Sequence, residues 1–143
     1  MKLAPLTACA LVLASSAASA HVRLLHPSNG NPLRWSEPSA VSLVIQAQGS
    51  LDLGPLEHLP ALRNAIGAWN AVEGTPWCLV ENDSPSQMNR TDWGSNSLHM
   101  LLFDEDGSSG YFPQGSGLVA LTLVWFSGSG SILDADVLFN GRD

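Results

Sequence analysis

The sequence predicts an α+β domain: a β-sheet of about five strands with one long helix packed on it. Three observations carry this. In residues 59–72, Leu59, Leu62, Ile66, Trp69 and Val72 recur three or four apart, which is the spacing of one helix face. Residues 41–48, 77–81, 98–103 and 117–126 are short runs rich in branched and aromatic side chains, bounded by Gly, Pro, Asn and Ser. Residues 132–140 alternate, so that Leu133, Ala135, Val137 and Phe139 point one way and Asp134, Asp136, Leu138 and Asn140 the other. With 143 residues, 45% hydrophobic and 13% charged, the chain has enough apolar surface for one domain and too few charges for a disordered polymer.

The first segment is an address. Lys2, an apolar run through Leu13 and the small residues Ala18, Ser19 and Ala20 have the pattern of a secretory signal peptide over residues 1–20, so export to the extracellular space or periplasm is expected. The run is shorter than the roughly 20 apolar residues that a membrane span needs. Cys9 follows Leu6, Thr7 and Ala8 as in a lipoprotein processing box, but its hydrophobic segment comes after it, where a lipidated cysteine needs one before. Loss of residues 1–20 leaves five arginines against thirteen acids, a net charge of −8 with neutral His. Such a surface repels phosphate backbones and anionic lipid, so neither nucleic acid nor membrane is expected as a partner.

Residues 21–40 read as an N-terminal loop or linker, and residues 41–143 as the domain. A chain starting at His21, with His26 nearby, raises the possibility of Cu(II) held by the terminal amine and imidazoles. His21, His26, His58 and His99 have no metal-ligand spacing, however, and isolated histidines are more often surface or core residues. Residues 41–48 predict a central strand ending at Gly49. The helix of residues 59–72 has Pro60 in its first turn and Gly74 just past its end. Residues 77–81 are a short strand containing Cys78, the only cysteine left after Cys9 departs. Cys78 is either a small buried apolar side chain or half of a disulfide whose partner is elsewhere. Residues 82–97 are a polar connection. Residues 98–103 are a third strand, in which a lone His99 reads as hydrogen-bonded rather than metal-bound.

Residues 104–110 pack Asp104, Glu105 and Asp106 with two glycines into one loop, and clustered carboxylates on a tight turn are hard oxygen ligands of the kind Ca²⁺ prefers, although the EF-hand pattern is incomplete. The plainer alternative is a solvated turn. Residues 117–126 and 132–140 then form two paired strands across a Gly/Ser turn.

Taken in order, Ala65-Ile66-x-x-Trp69 on a helix, a strand entering Phe103-Asp104-Glu105, then Ala120-Leu121-Thr122 and Ile132-Leu-Asp-Ala-Asp-Val-Leu-Phe-Asn140 resemble the N-terminal half of secreted bacterial metzincin zinc peptidases of matrixin-like type. The resemblance covers roughly residues 43–140. It implies a twisted mixed sheet, the metzincin-like N-terminal subdomain. It implies that residues 117–126 are the antiparallel edge strand forming the upper rim of the cleft, with Leu118, Val119, Ala120, Leu121 and Thr122 binding a peptide or protein substrate. It also implies calcium between the acidic loop and the last strand, with Asp104, Asp106, Asp134 and Asp136 as ligands; the alternative is that Asp134 and Asp136 are only hydrogen-bonded.

In that family the next element is the zinc helix His-Glu-x-x-His-x-x-Gly-x-x-His, whose histidines bind zinc and whose Glu is the base. The motif is absent from this sequence, so no residue here is assigned to catalysis or zinc. Residues around Cys78 also lack the Pro-Arg-Cys-Gly-x-Pro-Asp pattern of a zinc-masking cysteine. The expectation is a chain cut short before the zinc helix and inactive by itself. A non-enzymatic exported binding module using calcium or copper is the alternative.

Overall fold

The computed structural model describes residues 23–36, 40–53 and 55–142. The expected signal peptide, His21 and its proposed copper site therefore lie outside the described residues. Among the described residues no helix is long and apolar enough to cross a membrane.

The elements in order are β1 (Ala40–Ile45), α1 (Pro55–Asn70), β2 (Cys78–Glu81), the one-turn α2 (Pro85–Met88), β3 (His99–Asp104), β4 (Ala120–Phe126) and β5 (Ile132–Asn140). The strands form one mixed sheet in the order β2-β1-β3-β5-β4. β1 pairs in parallel with β2 and β3, and β3 in parallel with β5, while β4 turns back to lie antiparallel to β5 at the edge. The architecture is α+β, a mixed five-stranded sheet with a helix against it. β1 is interior, as its apolar, branched sequence suggested, and it ends at Ile45 rather than Gln48.

Strand alternation gives the sheet two distinct faces. On one face Val44, Met100, Leu102 and Leu138 form the core with Phe112. Met88, Trp93 and Leu98 of the connection between β2 and β3 cover it, and Leu121 and Leu123 of β4 extend it. The residues expected to be only a polar connector therefore supply a packing layer. The opposite face carries Val41, Leu43, Leu101, Val137 and Phe139, with α1 beside it.

α1 starts four residues earlier than the periodicity indicated, which places Pro60 in its second turn, where the missing N–H removes the helical bond to the Leu56 carbonyl. The helix is fastened to the sheet's edge strand β2. Arg63 forks onto Glu81 at 2.7–3.1 Å, and this pairing holds the Glu81 carboxyl below its ordinary range. Because α1 anchors at the edge, its apolar stripe is only partly covered. Leu62 and Ile66 are half-buried, but Trp69 is 69% exposed and Val72 is also exposed, contrary to the core role their spacing implied. Cys78 is likewise exposed, so the buried-thiol reading is incorrect. At the helix entrance His58 is buried against Gly49, whose φ is +60°; a Cβ there would sit 2.2 Å from the imidazole, so both conformation and space require glycine.

Candidate functional site

The two edges of the sheet differ. Along β2, the Asn70 side chain at the end of α1 pairs with both backbone groups of Leu79: its Oδ1 accepts from the N–H at 2.7 Å and its Nδ2 donates to the C=O at 2.8 Å. That amide occupies the position a neighbouring strand would take at Leu79, and it blocks the edge there. Among the described residues no such cover lies along β4. Asn140 N donates to Val119 O at 2.8 Å and Ala120 stands opposite Phe139, a register that turns the backbone groups of Leu121 and Leu123 toward β5. The N–H and C=O of Ala120, Thr122 and Val124 consequently point away from the sheet.

The candidate substrate residues separate along this edge. Leu118 and Val119 precede β4 and are exposed, Val119 by 78%, and Ala120 and Thr122 are exposed within the strand. Leu121 differs, because its side chain packs against the buried core and its backbone faces β5, so it supports the edge from behind. The Leu118 carbonyl accepts from Asn140 Nδ2 at 2.8 Å, which ties the approach to β4 onto the end of β5. Irregularity enters only between Trp125 and Phe126, leaving residues 120–125 a regular ladder.

The four acids assigned to calcium do not converge. Asp104 closes β3 opposite Asn140, six positions along β5 from Asp134, which is ~20 Å at about 3.3 Å per residue. Asp104 and Asp106 line a cavity of about 400 Å³ with Gln46 and Trp93, and neither Asp134 nor Asp136 reaches it. Asp104 is buried and accepts from Ser109 Oγ at 2.5 Å, while hydrogen bonds from Ser108 hold the Asp106 carboxyl below its usual range.

Asp134 and Asp136 serve the fold instead. Asp134 Oδ2 accepts from Asn96 N and Ser97 N, both at 2.8 Å, and its Oδ1 meets His99 Nδ1 at 2.9 Å. Asp136 accepts from Gly94 N and Met100 N, both at 2.8 Å. Burial pushes the Asp136 carboxyl above its ordinary range, opposed by those two N–H donors. The two carboxylates thus shape the turn into β3, including Ser97 at φ +64°. Two acids on the core-facing side of an alternating strand were the sequence signal for this role.

His26 lies edge-on to Phe126, His58 to Phe103 and His99 to Trp35, three separate environments. Among the described residues no group of three or more His, Cys, Asp or Glu side chains could hold a metal ion. The zinc and calcium implied by the resemblance therefore have no fitting donor set among them.

Sequence reasoning missed the N-terminal arm. Rather than a loose linker, residues 23–36 lie against the β4–β5 turn: Arg34 N donates to Gly130 O at 3.0 Å, Ile132 N donates to Arg34 O at 2.8 Å, and Trp35 reaches the His99 ring. Nothing but the isolated aromatic pointed to it. Compared with known proteins, the chain matches no family model, no curated protein and no solved structure.

Proposed function

We propose that this chain is the N-terminal part of an exported, matrixin-like zinc endopeptidase, and that the free edge of β4 is its substrate-binding rim. One observation carries the reading. β4 is an antiparallel edge strand whose outward backbone groups at Ala120, Thr122 and Val124 meet no partner strand among the described residues, while the other edge is blocked at Leu79 by Asn70. An extended peptide adds to such an edge as a further strand, gaining main-chain hydrogen bonds from the ladder and selectivity from flanking side chains. The order of the helix, the strands and the Asp-Ala-Asp-Val-Leu-Phe-Asn segment gives further support, since it resembles that family.

On this reading zinc, its activated water and the general base belong to a helix outside these 143 residues, and the present residues bind and orient the peptide without hydrolysing it. The test is amide exchange in the presence of an extended, uncharged peptide. Protection should grow at Thr122 and Val124, whose N–H groups point outward, and not at Leu121. Thr122→Pro removes one outward donor and spares the bonds to β5, so it should abolish the added protection while leaving the fold intact. Protection spread evenly over the chain, or zinc-dependent cleavage of casein by this chain alone, would count against the reading. The second reading, a non-enzymatic exported binding module, is favoured by one observation away from the β4 edge, the crevice that Asp104 and Asp106 line with Gln46.

A further inference from the structure

The connections that leave β1 and β3 run in opposite directions. β1 leads through α1 to β2 at one margin, and β3 leads to β4 and β5 at the other, so the carboxyl ends of these two parallel neighbours flank a switch point in the sheet. In open α/β sheets, ligands bind in the crevice that such ends create. Here that crevice is a cavity of about 400 Å³, with walls from Gln46 and Gln48 after β1, Asp104, Glu105 and Asp106 at the end of β3, and Trp93 from the connection that covers the core face.

Gln46 is the residue that points to a ligand. It is 5% exposed, and its Oε1 accepts from Phe103 N at 3.1 Å. A backbone N–H can only donate, so this bond orients the amide and leaves Nε2 as its other end. Nε2 has no hydrogen-bond partner among the described residues, yet it is not sealed inside protein, so the surface it retains lies on the crevice wall. A buried donor held in this way calls for an acceptor from outside. The bond to Phe103 also sets the amide beside the next residue, Asp104, whose buried carboxylate takes the Ser109 hydroxyl and keeps lone pairs to spare. No Arg, Lys or His lines the crevice, and none of Asp104, Glu105 and Asp106 is paired with a cation among the described residues. Arg142 packs against Gly107 and stays outside this wall.

A bare metal ion would answer the carboxylates and leave the amide donor unanswered, whereas a ligand that answers both carries a positive donor and a neutral acceptor. We propose that the crevice binds a small organic cation, a primary ammonium next to a carbonyl, with the ammonium donating to Asp104 and the carbonyl accepting from Gln46 Nε2. Trp93 gives apolar contact to the rest of the body, and the volume suits a compound of amino-acid size. The site lies at strand ends rather than along β4, and its occupancy does not depend on the peptidase reading.

The probe is L-phenylalaninamide, too short to pair along a strand, titrated into the full chain while N–H resonances are followed by NMR. The Gln46 side-chain amide and the Trp93 indole should shift together and saturate, and the backbone of Thr122 and Val124 should not respond. N-acetyl-L-phenylalaninamide lacks the ammonium and should bind about 10- to 100-fold more weakly, the loss of a hydrogen bond between charged groups. Phenethylamine lacks the carbonyl and should bind about 3- to 10-fold more weakly, the loss of a neutral one. Gln46→Glu keeps an acceptor for Phe103 N but replaces the donor, so it should erase the preference for the amide over phenethylamine. Because a change at buried Gln46 risks the fold, Thr91→Trp provides a second arm. It fills the crevice from its exposed rim, leaves Gln46 and Asp104 untouched and should abolish binding of all three compounds. Phe-Ala-Ala-amide separates two sources of the same ammonium–carbonyl unit: binding as tight as the probe assigns the site to the free end of a peptide, exclusion assigns it to a small amine, and both support it. Absence of saturable shifts, equal affinity for the acetylated compound, an amide preference that survives Gln46→Glu, or binding unchanged in Thr91→Trp would overturn the proposal.

Discussion

His99 Nδ1 lies 2.9 Å from Asp134 Oδ1, joining the first residue of β3 to β5 at the place where the chain enters the sheet. The same carboxylate holds the N–H groups of Asn96 and Ser97. The turn before β3 is thus organised by a side chain that comes nearly forty residues later, and its integrity depends on the β3–β5 pairing.

Asp134→Ala leaves several buried donors unsatisfied and should cost ~3 kcal/mol of unfolding free energy, with Asp134→Asn intermediate because the amide keeps one acceptor. Denaturant titration measures the loss. Limited proteolysis should cut the Asp134→Ala protein within residues 92–98 first. Equal stability of parent and variant would show that the turn holds itself.

Asp136 gives a pH signature. Its folded carboxyl titrates above the ordinary carboxylate value, so as pH rises through that window the unfolded chain has released a proton that the native state still holds. Stability contributed at this site is therefore greatest at acid pH and falls as pH increases, levelling off above the raised pKa. Glu81, whose pKa is lowered, acts oppositely and loses its contribution on acidification. Comparing parent with Asp136→Asn isolates the first effect. The parent's advantage should shrink from pH 3.5 to pH 6.5, and a constant or growing advantage would refute it.

The uncovered β4 edge predicts self-association. Residues 118–126 carry no charge and no proline, a composition suited to pairing with a second copy. Val119 faces solvent, whereas Leu121 packs on the core, so a blocking lysine belongs at Val119. Val119→Lys should shift sedimentation from oligomer toward monomer without lowering the thermal midpoint by more than a few degrees. A parent that stays monomeric at every concentration and binds no hydrophobic dye would sink this.

Calcium should leave the protein indifferent. A ligand held only by the folded state raises the midpoint by mass action, and ~20 Å of strand separates Asp104 from Asp134. Millimolar calcium is expected to change the melting temperature of neither the parent nor Asp104→Ala. A rise of several degrees in the parent alone would restore a site at the acidic loop.

The sequence by itself determined the elements that arise from local pattern: the period of α1, the alternation of β5, and the apolar runs of β1, β3 and β4. These depend on backbone geometry over a few residues, and they appear with boundary shifts of up to four positions, the largest at Pro55. Only tertiary structure decided which apolar residues would be covered. Trp69 and Val72 match the helical stripe of Ile66, yet they stay exposed because α1 is pinned to β2 by Arg63 and Asn70 at the sheet's margin. It also decided the fate of the acids. Parallel pairing of β3 with β5 sets Asp104 and Asp134 at opposite ends of neighbouring strands, a consequence of register that no local signal encodes. Trp35 reached His99 for the same reason, since a residue with no periodic context takes its place from whatever surface the finished sheet offers.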